Sequence, residues 1–183
     1  MTELQDLKYR QWFRGADVDG DGKITRHDVL LMGERYIAAR GDAARSATAG
    51  RLTEELGAFW THVIAPMDRD GDGRVDLREM TDGFRRALTD PDLYAQQIQL
   101  VADCFFDLVD LDGNGKIDQS EFEQIFGLAG NLPFEECAPV FAALDLDGSG
   151  TLDRAEFHQA LAEFFYGNDP EAPANHLFGR VTG

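Results

Sequence analysis

The chain has 183 residues, 43% of them apolar, enough for one substantial core or two small lobes. Its 34 acidic residues against 17 basic ones leave a net charge of −17, which argues against nucleic acid or an anionic membrane surface as partner and favours cations. No eighteen-residue apolar run is present, and Met1 to Leu7 form neither a positive nor an apolar leader, so a monomeric, cytoplasmic protein is expected.

From the N-terminus, Tyr9, Trp12, Phe13 and Ala16 recur at the spacing of one helix face and lead into Asp17. The segment from Asp17 to Asp28 then sets Asp17, Asp19, Asp21, Gly22, Lys23, Ile24, Thr25 and Asp28 at positions 1, 3, 5, 6, 7, 8, 9 and 12. Val29 and Met32 continue as a helix, and the glycine-bounded, faceless stretch from Gly41 to Gly50 predicts a turn between two long helices. Trp60, Val63, Ile64 and Met67 lead into the second segment, with Pro66 predicting a bend in the last turn. That segment sets Asp68, Asp70, Asp72, Gly73, Arg74, Val75, Asp76 and Glu79 at the same positions, and Met80 and Phe84 follow.

Thr89-Asp90-Pro91 makes a short break, with Asp90 or Thr89 placed to cap a helix that has Pro91 in its first turn. Ala102, Phe105, Phe106 and Val109 precede the third segment, which carries Asp110, Asp112, Asn114, Gly115, Lys116, Ile117, Asp118 and Glu121, and Phe122, Ile125 and Phe126 come after it. Cys137, Val140, Phe141 and Leu144 precede the fourth, which carries Asp145, Asp147, Ser149, Gly150, Thr151, Leu152, Asp153 and Glu156 ahead of Phe157 and Leu161. Cys104 and Cys137 have no metal-ligand spacing and are expected as buried free thiols. In the tail, Pro170 and Pro173 stiffen a turn, and Leu177, Phe178 and Val181 then recur at helical spacing.

Oxygen side chains at 1, 3, 5, 9 and 12 around a glycine at 6 describe the EF-hand calcium loop, here four times over. The expected ligands are Asp17, Asp19, Asp21 and Asp28 in loop 1, and Asp68, Asp70, Asp72 and Glu79 in loop 2. Loop 3 offers Asp110, Asp112, Asn114 and Glu121, and loop 4 offers Asp145, Asp147, Ser149 and Glu156. Lys23, Arg74, Lys116 and Thr151 contribute backbone carbonyls, and Thr25, Asp76, Asp118 and Asp153 act through water. Three to four calcium ions are expected. Asp28, one methylene shorter than glutamate, predicts a six-oxygen shell at loop 1 that discriminates least against magnesium.

The aliphatic residues at position 8 suit a short strand pairing, loop 1 with loop 2 and loop 3 with loop 4. The fold expected is all-α, two EF-hand pairs in one compact globule with short β bridges. An N-terminal pair spans 1–89, a C-terminal pair 90–166, and a tail 167–183 docks between the lobes.

With four hands, an enlarged first pair, a short link and a long tail, the chain resembles the sarcoplasmic calcium-binding proteins and their bacterial relative calerythrin over essentially its full length. That resemblance implies a role in buffering or transporting calcium, with magnesium affinity at some sites. Members commonly have one hand with decayed ligands, often the second, whereas loop 2 here keeps its full set. Related photoproteins enclose an aromatic ligand between the lobes. Such a carrier would draw on Trp12, Trp60, Tyr36, Tyr166, His62, His158 and His176. A sensor acting on a protein partner is the other alternative. It normally offers a methionine-rich groove, but beyond Met1 only Met32, Met67 and Met80 are present. No nucleophile elbow, phosphate-binding glycine loop, HExxH or CxxC pair is present, so neither catalytic nor organic-cofactor residues are expected.

Overall fold

The computed structural model describes residues 2–39, 48–87, 89–127 and 132–179. Helix α1 (Glu3–Ala16) begins at a capping box between Thr2 and Gln5. Strand β1 (Lys23–Ile24) and helix α2 (Arg26–Ala39) complete the first hand. Helix α3 (Thr48–Phe59) leads through two irregular turns to strand β2 (Val75–Asp76) and helix α4 (Leu77–Ala87). The second pair comprises helix α5 (Pro91–Val109), strand β3 (Ile117–Asp118), helix α6 (Gln119–Phe122), helix α7 (Phe134–Leu144), strand β4 (Thr151–Leu152) and helix α8 (Arg154–Tyr166). The β bridges pair as their position-8 residues predict: Ile24 lies opposite Val75 and Ile117 opposite Leu152, both antiparallel. Asp90 caps α5 by accepting from the amides of Asp92 and Leu93, with Pro91 at the first helical position.

Three local expectations need correction. Thr48 to Gly50 belong to α3 and not to the turn predicted from Gly41 to Gly50, and 40–47 lie outside the described residues. The distortion expected at Pro66 begins six residues earlier. The helix widens to a π turn over Trp60–Ile64, closed by the Ala65 amide on the Trp60 carbonyl, and tightens to a 3-10 turn over Ala65–Met67. Proline has no N–H to donate and its ring crowds the carbonyl one turn back, so the backbone re-registers ahead of it. In the tail, a 3-10 turn spans Pro173–His176, Leu177 and Phe178 follow in a turn instead of the helix that their spacing predicts, and Val181 lies outside the described residues. Beyond these, α6 passes into a π turn over Glu123–Gly127, yet Phe122, Ile125 and Phe126 are all fully buried.

One aromatic core runs through both pairs. Trp12 of α1 meets Phe59, Phe84 and Phe165 edge-on, and Phe84 of α4 lies 5.0 Å from Phe165 of α8. Phe59 of α3 reaches Phe105 of α5 at 6.5 Å. Cys104 and Cys137 are buried and free, and burial pushes the Cys104 thiol up to about 12.

A polar seam invisible in the sequence joins α1 to the end of α8. Gln5 Nε2 donates to the Tyr166 carbonyl, the Tyr9 hydroxyl to that of Phe165 at 2.7 Å, and Lys8 Nζ to those of Glu163 and Gly167 at 2.9 and 3.1 Å. The last carbonyls of a helix have no partner within it, and a cation at that end meets the negative pole of the helix dipole. The fully buried Lys8 therefore caps α8 from another lobe, and desolvation lowers its pKa despite Glu163 and Asp169 nearby.

Candidate metal centres

In each loop the backbone gathers carboxylates onto one point. Gly22 and Gly73 sit at φ 85° and 80°, a left-handed turn that lets the chain double back on the acids before it. The gathered groups are Asp17, Asp19 and Asp28; Asp68, Asp70 and Asp72; Asp110, Asp112 and Glu121; and Asp145, Asp147 and Glu156, with the carboxylate oxygens of each group within 4.8 Å of one another. Such clustered hard oxygens are the donor set of a calcium site. Asp17 Oδ1 adds a direct observation: it is buried without a hydrogen-bond partner among the described residues, while Oδ2 accepts from the Gly22 amide. An anionic oxygen in that position fits a cation ligand.

Asp21 and Glu79 lie outside their loops' groups. Asp21 accepts from the Lys23 amide and from Arg74, and Glu79 spends both oxygens on the amides of Arg69 and Asp76. In loops 1, 3 and 4 the position-3 amide joins those of positions 2 and 9 on the closing acid. Glu121 accepts from Leu111, Asp112 and Asp118 at 2.8, 3.2 and 2.9 Å. Glu156 accepts from Leu146, Asp147 and Asp153. Asp28 reaches the corresponding amides of Val18, Asp19 and Thr25 at 3.2, 3.4 and 2.9 Å, so its short side chain spans the loop at fuller stretch. Burial would raise the Asp28 pKa, but the Thr25 hydroxyl and these amides outweigh it and hold the carboxyl below the usual range. At Glu121 burial wins, and its carboxyl is pushed up.

The position-9 side chains cap the outgoing helices. Thr25 Oγ1 and one oxygen each of Asp76, Asp118 and Asp153 accept the amide of the closing acid. At position 5, Asn114 Oδ1 accepts the Lys116 amide, and the Ser149 hydroxyl donates to the carbonyl of Thr151. The sequence reading missed a cross-loop exchange. Lys23 Nζ lies 2.9 Å from Asp72 Oδ2, and Arg74 Nη1 lies 3.3 Å from Asp21 Oδ2, so each position-7 cation reaches the position-5 carboxylate of the paired loop. Lys23 and Arg74 occupying matched positions beside the β bridge was the available signal. The pair raises the Lys23 pKa and lowers that of Asp72.

Of the residues considered for an interlobe ligand, Trp12 and Tyr166 are buried and share two ring neighbours, Phe84 and Phe165. Trp60 is half-buried, His62 and His176 are exposed, and His158 bonds Asp103 at 3.0 Å. The Tyr36 side chain is outside the described residues. None of the described helices is long and apolar enough to cross a membrane.

The EF-hand domain pair family matches residues 57–127, and the EF hand family matches 10–29 and 138–162. A sarcoplasmic calcium-binding protein of Perinereis vancaurica tetradentata is 29% identical over 181 residues, covering 99% of this chain and all of that protein. A solved Streptomyces coelicolor calcium-binding protein, described in terms of prokaryotic calcium-mediated regulation, superposes at a TM-score of 0.75 with 26% identity, over 90% of this chain and 99% of its own. Calcium-loaded apo-aequorin from Aequorea victoria superposes at 0.74 with 26% identity, over 93% and 94%. The chain spans only 22% of the first of the Plasmodium calcium-dependent protein kinases that it also matches. Four paired loops, their gathered acids and these likenesses agree: the chain is a calcium-binding protein and belongs to the EF-hand family, in the four-hand group that includes the sarcoplasmic calcium-binding proteins.

Proposed function

We propose that this protein is a calcium buffer whose interior is closed by its own tail. The observation that carries the reading is the placement of Leu177 and Phe178. Both are buried, and the Phe178 ring meets Phe105, Phe126, Phe164 and Phe165 at 5.6, 6.0, 4.8 and 6.3 Å. Gln11 Nε2 of α1 donates to the Phe178 carbonyl at 2.9 Å, so the tail also touches the N-terminal pair. A sensor presents an apolar groove to a target helix, whereas this chain fills the corresponding apolar surface with its own side chains. Met32, Met67 and Met80 are buried as well, which removes the adaptable surface that sensors use.

The ligands assigned to the ions are Asp17, Asp19, Asp21 and Asp28; Asp68, Asp70, Asp72 and Glu79; Asp110, Asp112, Asn114 and Glu121; and Asp145, Asp147, Ser149 and Glu156. The carbonyls of Lys23, Arg74, Lys116 and Thr151 complete the shells. Loops 2 to 4 take calcium with dissociation constants of about 10⁻⁸ to 10⁻⁶ M. Four divalent ions would bring the net charge from −17 to −9 and relieve repulsion among acids that the loops concentrate.

The test is small-angle scattering and binding of a hydrophobic dye with and without calcium, alongside calorimetric titration of calcium. A buffer keeps its dimensions and stays dye-silent in calcium while binding at least three ions. Calcium-dependent dye binding would replace this reading with the sensor reading, which the likeness to the Streptomyces protein favours. The photoprotein-like carrier reading has the likeness to apo-aequorin behind it, and mass spectrometry of protein from its native source would reveal a retained organic ligand.

A further inference from the structure

In the first pair of loops, each position-5 carboxylate has both of its oxygens committed. Asp21 Oδ1 accepts the Lys23 amide at 2.9 Å, and its Oδ2 lies 3.3 Å from Arg74 Nη1. Asp72 Oδ1 accepts the Arg74 amide at 2.8 Å, and its Oδ2 lies 2.9 Å from Lys23 Nζ. One oxygen is thus held by the loop's own backbone and the other by the position-7 side chain of the opposite loop. The antiparallel register, with Ile24 opposite Val75 and Lys23 opposite Asp76, carries each position-7 side chain across. The second pair has no counterpart in its sequence. Its position-5 residues are Asn114 and Ser149 and its position-7 residues Lys116 and Thr151, so Lys116 meets no carboxylate at position 5 of the opposite loop and Thr151 has no charge to exchange. The Ser149 hydroxyl donates instead to the Thr151 carbonyl of its own loop.

The exchange bears on the ions because position 5 supplies a ligand to an EF-hand loop. A carboxylate oxygen beside an ammonium or guanidinium group has part of its charge already satisfied, and a fixed cation beside the site repels an arriving divalent ion. Loop 1 shows the geometric counterpart. Asp17, Asp19 and Asp28 are gathered within 4.8 Å, while Asp21, held by Arg74, lies outside the group. Asp72 stays gathered with Asp68 and Asp70 even with Lys23 on its Oδ2. All four side chains of the exchange are partly exposed, so each pair has the modest strength of a surface ion pair and yields to an ion that brings two charges.

We infer that Arg74 and Lys23 compete with calcium across the paired loops: Arg74 lowers the affinity of loop 1 through Asp21, and Lys23 lowers that of loop 2 through Asp72. This rests on position 5 supplying a ligand in the shells proposed above. It gives the first pair, with nine acids in its two loops, a weaker hold on its ions than those carboxylates would exert alone.

The experiment is a calcium titration of the full-length protein, with free calcium set by a chelator, in which NMR follows the amides of Gly22, Gly73, Gly115 and Gly150 as reporters of loops 1 to 4. Each of these amides donates to the position-1 carboxylate of its loop and so senses that loop's ion. Arg74→Gln is expected to raise the affinity of loop 1 about two- to fivefold, and Lys23→Gln that of loop 2 by about as much, each exceeding the change in the loop that carries the substitution. Loops 3 and 4 are the internal reference. Arg74→Lys, which restores the charge, brings loop 1 back toward its wild-type affinity. In an Asp72→Ala background, where loop 2 is itself weakened, Lys23→Gln no longer moves loop 2. Equal gains in loops 1 and 2 from either substitution overturn the inference, because they mean that removing any positive charge suffices. A loss of affinity in the opposite loop overturns it as well, since the cations would then support the ligands they hold. Loop 2 untouched by Asp72→Ala removes the ligand assignment and the inference with it. Weakening by Asp72→Ala without any effect of Lys23→Gln or Arg74→Gln refutes the competition alone.

Discussion

Replacing Phe178 by alanine tests how firmly the tail belongs to the fold. The ring is 6% exposed and has four aromatic neighbours between 4.8 and 6.3 Å, contributed by α5, the turn after α6, and α8. Truncating a phenylalanine so enclosed removes its transfer free energy and leaves a cavity, a cost of about 3 to 5 kcal/mol. For a chain of this length that corresponds to roughly 6 to 20 °C in melting temperature. The value belongs near the upper end, because each aromatic pair adds about 0.5 to 1.5 kcal/mol beyond area burial and the surrounding rings cannot collapse without losing their own edge contacts. Differential scanning calorimetry of the calcium-loaded protein measures the shift. Phe134→Ala, at a residue 60% exposed, serves as the control and should move stability by no more than about 0.5 kcal/mol. If the two variants melt within that margin of each other, the tail contributes nothing to the core and the closed-buffer argument fails with it.

Tyr9→Phe should cost about 1 kcal/mol in urea unfolding, since it removes the hydroxyl that satisfies the buried Phe165 carbonyl, and an unchanged midpoint would show that water replaces the bond. Stability should fall as pH rises from 9 toward 12. The unfolded chain releases the Cys104 proton near 9.0 while the fold holds it to about 12, so the native state binds more protons in that window and loses up to about 1.4 kcal/mol per pH unit. Tyr9 and Tyr166, raised above 10.0 by burial, steepen the fall from pH 10 upward, and Cys104→Ala should flatten the profile between 9 and 10. Asp28→Glu should raise the calcium-over-magnesium preference of loop 1, because the added methylene gives the carboxylate the reach to close on an ion with both oxygens, where Asp28 spans to the Val18 and Asp19 amides at 3.2 and 3.4 Å; affinities for both metals unchanged from those of the wild type would refute the six-oxygen shell. Glu121→Gln should weaken calcium binding at loop 3 well beyond any effect on loop 4, as read by titrating single-site variants.

The hands, their pairing and the capping at Asp90 were legible in the sequence because each depends on chemistry within about a dozen residues. A glycine at position 6, an acid at position 12 and a β-branched or bulky aliphatic residue at position 8 act on their own loop, and the regular spacing of Trp12, Phe13, Phe105 and Phe106 declares a buried helix face wherever that face is finally packed. The position-9 caps belong to the same local grammar, although it was their capacity as ligands that drew attention. What tertiary structure decided lies between residues far apart in the chain. Lys8 reads as an ordinary solvent-facing cation on α1 until the end of α8, more than 150 residues later, presents it with the carbonyls of Glu163 and Gly167. The exchange of Lys23 and Arg74 across the loops requires the antiparallel register of β1 and β2, and the partners of Phe178 come from three separate helical segments. Local hydrogen bonding and periodicity are properties of a segment and can be read along it. Which helix end needs a donor, and which apolar surface a tail will cover, depends on how the segments pack, and only the folded chain holds that information.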